Sequence, residues 1–114
     1  MHKQIQAAVE IEILSKALQE LADKNADIFA EEILNILDYK KQTITNGDQY
    51  VSFCSAYVNN EDFIREKFEV FEKSDKYIDL PDGLVLSDTI KQKYLSEIKS
   101  KAAIIAFGLI YPSI

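Results

Sequence analysis

Tryptophan is absent from this 114-residue chain, and cysteine, histidine and methionine occur once each, beside two prolines and three glycines. Each scarcity removes a class of protein. The single cysteine, Cys54, cannot form an intrachain disulfide and suits a reducing cytoplasm. The single histidine, His2, sits at the terminus, which leaves no buried histidine for general acid–base work. Di-metal helical bundles need Glu-x-x-His pairs, and RNA-cleaving helical bundles that rely on an Arg beside a His need the same missing residue. With three glycines there is no phosphate-cradling loop, and Asn46-Gly47-Asp48 matches no known cradle. Little glycine and proline also disfavour an all-β fold built from many hairpins. No apolar run approaches the roughly 18 residues that a membrane-spanning helix needs, and Met1-His2-Lys3-Gln4 leads into an amphipathic pattern, not a signal-peptide block. Basic residues are outnumbered, 13 to 19, giving a net charge of −6 and making nucleic acid a poor direct partner.

What is present reads as one helical domain over residues 1–114. The hydrophobic share of 47% offsets the entropy of folding and argues against disorder. Ile5, Val9, Ile13, Ala17 and Leu21 recur at steps of four, which predicts a first helix of about six turns. Asp23-Lys24-Asn25 is expected to break it, with Asn25 or Asp27 capping a second helix that buries Phe29, Ile33, Ile36 and Leu37. These two form an αα-hairpin, with Lys40 and Lys41 at the end where cations suit the helix dipole. Gln42 to Gly47 is the first loop, and Asp48 a cap. Tyr50, Phe53, Cys54, Tyr57 and Val58 then mark a third helix at spacings of three and four. Asn59 to Asp62 has capping-box spacing, with Val58 and Phe63 as its hydrophobic staple. The fourth helix turns Ile64, Phe68 and Phe71 inward, helped by Phe63 and Val70.

Tyr77 to Leu86 is the one β-like stretch, because Pro81-Asp82-Gly83 supplies turn chemistry between short apolar runs. Ser87 or Asp88 caps the last helix, whose stripe is Ile90, Tyr94, Ile98, Ala102, Ile105 and Leu109. From Ala102 to Tyr111 the sequence is apolar on every side, which predicts a helix running through the middle of the domain. The fold class expected is therefore mainly all-α: a compact five-helix bundle with one short β-hairpin near residues 77–86.

Cys54 lies on an apolar stripe with no histidine or cationic cluster to lower its pKa, so it reads as a small core hydrophobe. Asp79, Asp82, Gly83 and Asp88 fail as a calcium loop. With Gly83 in the sharp-turn position, Ile78, Leu80 and Thr89 would fall on ligand positions. No catalytic residue, metal ligand or cofactor is assigned, and the chain reads as a non-enzyme.

Charge is distributed unevenly. Residues 10–90 hold eight basic and eighteen acidic side chains, while residues 91–114 hold four lysines against Glu97. Within the middle stretch the acids concentrate from Glu61 onward. Asp62, Glu66 and Glu69 share one helical face, and Glu72, Asp75, Asp79 and Asp82 carry the negative charge onward. Neighbouring carboxylates on such a face lie about 6 Å apart, comparable to phosphate spacing along a nucleic-acid strand. A solvated surface, with Arg65, Lys67, Lys73 and Lys76 interspersed among the acids, accounts for this pattern in most proteins. The sharper expectation is a docking face for a strongly basic protein, with Tyr77 as its aromatic anchor.

From Phe71 to Ile98, an acid-ended helix, the run Tyr77-Ile78-Asp79-Leu80-Pro81-Asp82-Gly83-Leu84 and a capped amphipathic helix resemble the later part of colicin-D-type immunity proteins. Those are small, acidic, mostly helical bacterial proteins that bind and block a tRNA-cleaving toxin domain. The immunity proteins of contact-dependent growth-inhibition systems are similar in size and acidity. The resemblance covers about a quarter of the chain, and the N-terminal helices and apolar C-terminal run have no counterpart in it. It implies an antitoxin whose acids stand in for substrate phosphates over a toxin's basic cleft. Two other classes stay open: a phage-type nucleic-acid mimic inhibiting a DNA- or RNA-binding complex, and a self-associating helical subunit. None of the three needs direct nucleic-acid or membrane contact.

Overall fold

The structure, a computed structural model, describes residues 16–110. Five helices occupy them: α1 (Lys16–Ile36), α2 (Tyr39–Asn46), α3 (Asp48–Val58), α4 (Glu61–Glu72) and α5 (Asp88–Ile110). The expected stripe from Ile5 to Ile13 lies outside the described residues.

α1 and α5 are the longest helices, at 21 and 23 residues, and form the central pair. Ala22, Ala26 and Ala30 on α1 and Ala102 and Ala106 on α5 are fully buried. Small side chains at steps of four let two helix axes lie close, since interaxial distance follows the residues at the contact. The pair runs in one direction. Leu18 and Leu21 lie beside Pro81 and Leu84, just ahead of α5, and the Tyr39 hydroxyl, past the end of α1, donates to the Ile110 carbonyl at 3.0 Å. The shorter helices close one side of this pair with Cys54, Val58, Ile64, Phe68 and Phe71. Phe29 is their hub: its ring stacks on Phe71 at 5.1 Å and meets Phe68 edge-on at 5.2 Å.

Several sequence expectations are corrected. Asp23-Lys24-Asn25 breaks nothing, because α1 runs straight through it. None of the three is a strong helix breaker, and Asn25 directs its amide at tertiary partners instead of capping. The corner falls later, at Leu37–Asp38, where Asp38 takes the left-handed conformation at φ 54°, one that aspartate tolerates better than most residues. Residues 42–46 are helical, so Lys40 and Lys41 lie in the first turn of α2. Gly47, at φ 59° and ψ −135°, separates α2 from α3, a conformation open almost only to glycine. It also holds the cap position expected of Asp48. The α4 cap is Asn60, not Asn59, and accepts from the Phe63 amide at 3.1 Å. The staple register shifts with it, and Phe63 packs edge-on against Tyr57.

No strand forms among the described residues, so the hairpin near 77–86 is replaced by an irregular loop. Its turn spans Pro81 to Leu84, closed by the Leu84 amide on the Pro81 carbonyl at 3.1 Å. Gly83 at φ 84° suits the third position of a type II turn. Proline and glycine here serve the turn alone, without a ladder on either side. Ser87 caps α5 as expected, accepting from the Ile90 amide. The expectation that α5 threads the domain centre fails at its C-terminal half, where Ile104 is 72% exposed and Leu109 is also open. Val70 does not turn inward either, at 68% exposed. Among the described residues no helix is long and apolar enough to cross a membrane.

Candidate partner-binding face

The face begins with one buried side chain. Asn25 is fully buried on α1, in phase with Ala22 and Phe29. Its Oδ1 accepts the Ile78 amide at 2.8 Å, and its Nδ2 donates to the Ile78 carbonyl at 3.0 Å. The same Nδ2 lies 3.4 Å from the Tyr94 hydroxyl. A side-chain amide that satisfies both polar groups of one peptide residue does what a neighbouring strand would do, and so holds the loop without a sheet. A second tie lies at the loop's start, where Lys76 Nζ meets Glu32 Oε2 at 2.6 Å. Lys101 makes a comparable pair with Asp23 at 2.5 Å, and this bond is the main reason its ammonium pKa is raised.

Tyr77 packs edge-on against Phe71 at 5.6 Å and Phe68 at 6.4 Å. Burial pushes its phenol well above the ordinary tyrosine range, and Tyr94, Glu72 and Asp79 push the same way. Tyr94 is raised as well, again chiefly by burial, with its hydrogen bonds to Asn25 and Tyr77 opposing. Tyr77 is thus part of the packing that fixes the loop, not a projecting anchor.

The expected acids divide into four groups. Glu72 and Asp79 both act on Tyr77, whose phenol pKa their charges help to raise. Glu66 and Glu69 lie exposed on the outer face of α4, beside exposed Val70. Asp62 stands at the opposite end of α4, about 15 Å from Glu72 along the axis at 1.5 Å per residue, and pairs with Arg65 at 3.0 Å. Asp75 and Asp82 are exposed on the loop. Of these seven acids only Asp62 takes part in an ion pair among the described residues. From Glu66 to Asp82 the acids outnumber the lysines six to three, and none of the six is ion-paired among the described residues.

Sequence reasoning missed Asn25 as the residue that positions this face. A signal existed: a polar residue three positions after Ala22 and four before Phe29 falls inside the buried stripe. It also passed over the aliphatic residues of the loop, where Ile78, Leu84 and Val85 point outward. Cys54 is fully buried and its thiol pKa is raised by that burial, so it is held protonated and shielded. Among the described residues no three His, Cys, Asp or Glu side chains group closely enough to hold a metal ion.

Fold and face together define a helical bundle that presents an acidic loop and helix surface on a pinned backbone. No family model, characterised protein or solved structure matches the chain.

Proposed function

We propose that this chain is a non-enzymatic, protein-binding inhibitor of the immunity or antitoxin type. It neutralises a basic toxin of the nuclease kind by covering the toxin's active site with its acidic face. The observation that carries this reading is the run of carboxylates at Glu66, Glu69, Glu72, Asp75, Asp79 and Asp82, none of them ion-paired among the described residues. An incidental acidic surface is commonly interlaced with its own cations. Here three lysines stand among six carboxylates over residues 66–82, and one of the three, Lys76, is occupied by Glu32. Carboxylates left unneutralised on a fixed backbone attract a cationic cleft from a distance and set its orientation on arrival. The Asn25 clamp contributes by holding the loop in place before the partner arrives, which lowers the ordering cost of binding.

The test is capture with the full chain as bait from the organism that encodes it, followed by an activity assay on the captured protein. The expected result is a basic protein that cleaves nucleic acid and is silenced at a one-to-one ratio. A captured partner that is acidic, or a nuclease that stays active with the chain bound, would overturn the proposal.

A further inference from the structure

The loop between α4 and α5 has two sides of different chemistry. Tyr77, Leu80 and Leu86 pack against the core. Ile78, Leu84 and Val85 face outward, with Leu84 44% and Val85 89% exposed. Beside them runs a groove of about 380 Å³, walled by Ala17, Leu18 and Leu21 of α1 and by Pro81 and Leu84 of the loop. Large aliphatic side chains on a surface loop oppose solubility, yet this loop is fastened by a buried amide in the position that displays them.

The loop beside the groove is acidic on balance. Asp75, Asp79, Asp82 and Asp88 lie on or next to the loop against two lysines, of which Lys76 is engaged by Glu32 and Lys73 stands at the α4 end of the loop. At the groove itself Glu20 and Lys24 offset each other. An apolar seat within such a rim complements a segment that carries aliphatic side chains flanked by lysine or arginine.

We propose that Leu84 and Val85, with this groove, are the anchor by which the chain seats a basic amphipathic segment of its protein partner. The proposal rests on the acidic-face reading above and adds to it where the short-range contact lies. Carboxylates steer, and the aliphatic pair supplies the desolvated centre on which residence time depends.

Three fluorescein-labelled peptides of equal length serve as probes: one alternating lysine and leucine, one lysine and glycine, one serine and leucine. Fluorescence anisotropy with the full chain is expected to show the lysine–leucine peptide binding at least tenfold tighter than the lysine–glycine peptide of the same charge. The double variant Leu84→Asn, Val85→Asp should bring those two within about twofold of each other. Asp75→Asn, Asp79→Asn, Asp82→Asn should weaken both basic peptides. Both side chains are exposed, so the double variant should keep the urea midpoint of the parent, which controls for folding.

Equal binding of the two basic peptides by the parent chain would overturn the anchor while leaving the acidic-face reading intact. Loss of all preference for basic peptides over serine–leucine would overturn both. Two further results would reassign the groove and overturn the proposal. A chain that sediments as a dimer, and becomes monomeric in the double variant, would assign it to a second copy. A large fall in the urea midpoint of the double variant, with peptide binding unchanged, would assign it to this chain's own residues.

Discussion

Asn25 concentrates the structural logic of the protein in one side chain, because burying an amide is unfavourable unless every polar atom finds a partner. Here it satisfies the Ile78 amide and carbonyl together and reaches the Tyr94 hydroxyl. Asn25→Ala strands both backbone groups, and unfolding in urea should show a loss of about 2 kcal/mol, with faster amide exchange at Ile78. A loss below about 0.5 kcal/mol, the range of surface substitutions, would show the clamp to be dispensable. The neighbouring phenols make a separate prediction. Tyr77 and Tyr94 are raised above the ordinary value of 10.0 in the folded chain, so the folded state keeps protons that the unfolded state gives up above that pH. Their contribution to stability is complete below pH 10 and declines as pH rises beyond it. Absorbance at 295 nm should accordingly show a fraction of the six tyrosines ionising only as the fold is lost. Cys54 permits a simple check of core integrity. A thiol-reactive reagent such as Ellman's should react with it at the rate of unfolding, and immediate reaction in the native chain would contradict its burial.

Helix ends show which elements were legible in the amino-acid pattern. The stripes of α3, α4 and α5 were readable because Cys54, Val58, Ile64, Phe68, Tyr94 and Ile98 fall at helical spacing and are buried as expected. The Asn46-Gly47 boundary was readable because few residues besides glycine adopt its backbone angles. The supposed break at residues 23–25 was misread because polar residues suit a cap and a helix interior alike, and only the tertiary partner of Asn25 decides between them. The hairpin was misread for a related reason, since Pro81-Asp82-Gly83 specifies a turn but not what its arms pair with. Exposure of Val70 and Ile104 was beyond the pattern altogether, because periodicity orients a helix without counting its neighbours. The acids proposed for the face were chosen from the sequence, whereas the loop backbone that carries Asp79 is set by where Asn25 holds Ile78. At this scale the cap of α4 is the sharpest test. Asn60→Ala removes the acceptor for the Phe63 amide and should cost about 1 kcal/mol in thermal or urea unfolding, whereas Asn59→Ala should cost much less.

At the scale of the whole molecule, a net charge of −6 conceals an uneven field. From Glu66 to Asp82, α4 and the following loop carry six carboxylates without ion-pair partners among the described residues, while Lys101 and Lys76 are held by acids of α1. Such a field lengthens the reach of association and makes its rate sensitive to salt. The most direct measurement of the central claim is the stopped-flow association rate with the captured basic partner across ionic strength. The parent chain is compared with Asp75→Ala, Asp79→Ala, Asp82→Ala. A rate that falls steeply with salt in the parent, and is at least tenfold slower and nearly salt-independent in the variant, is the expected result. Identical rates and identical salt dependence in the two chains would remove this face from the contact.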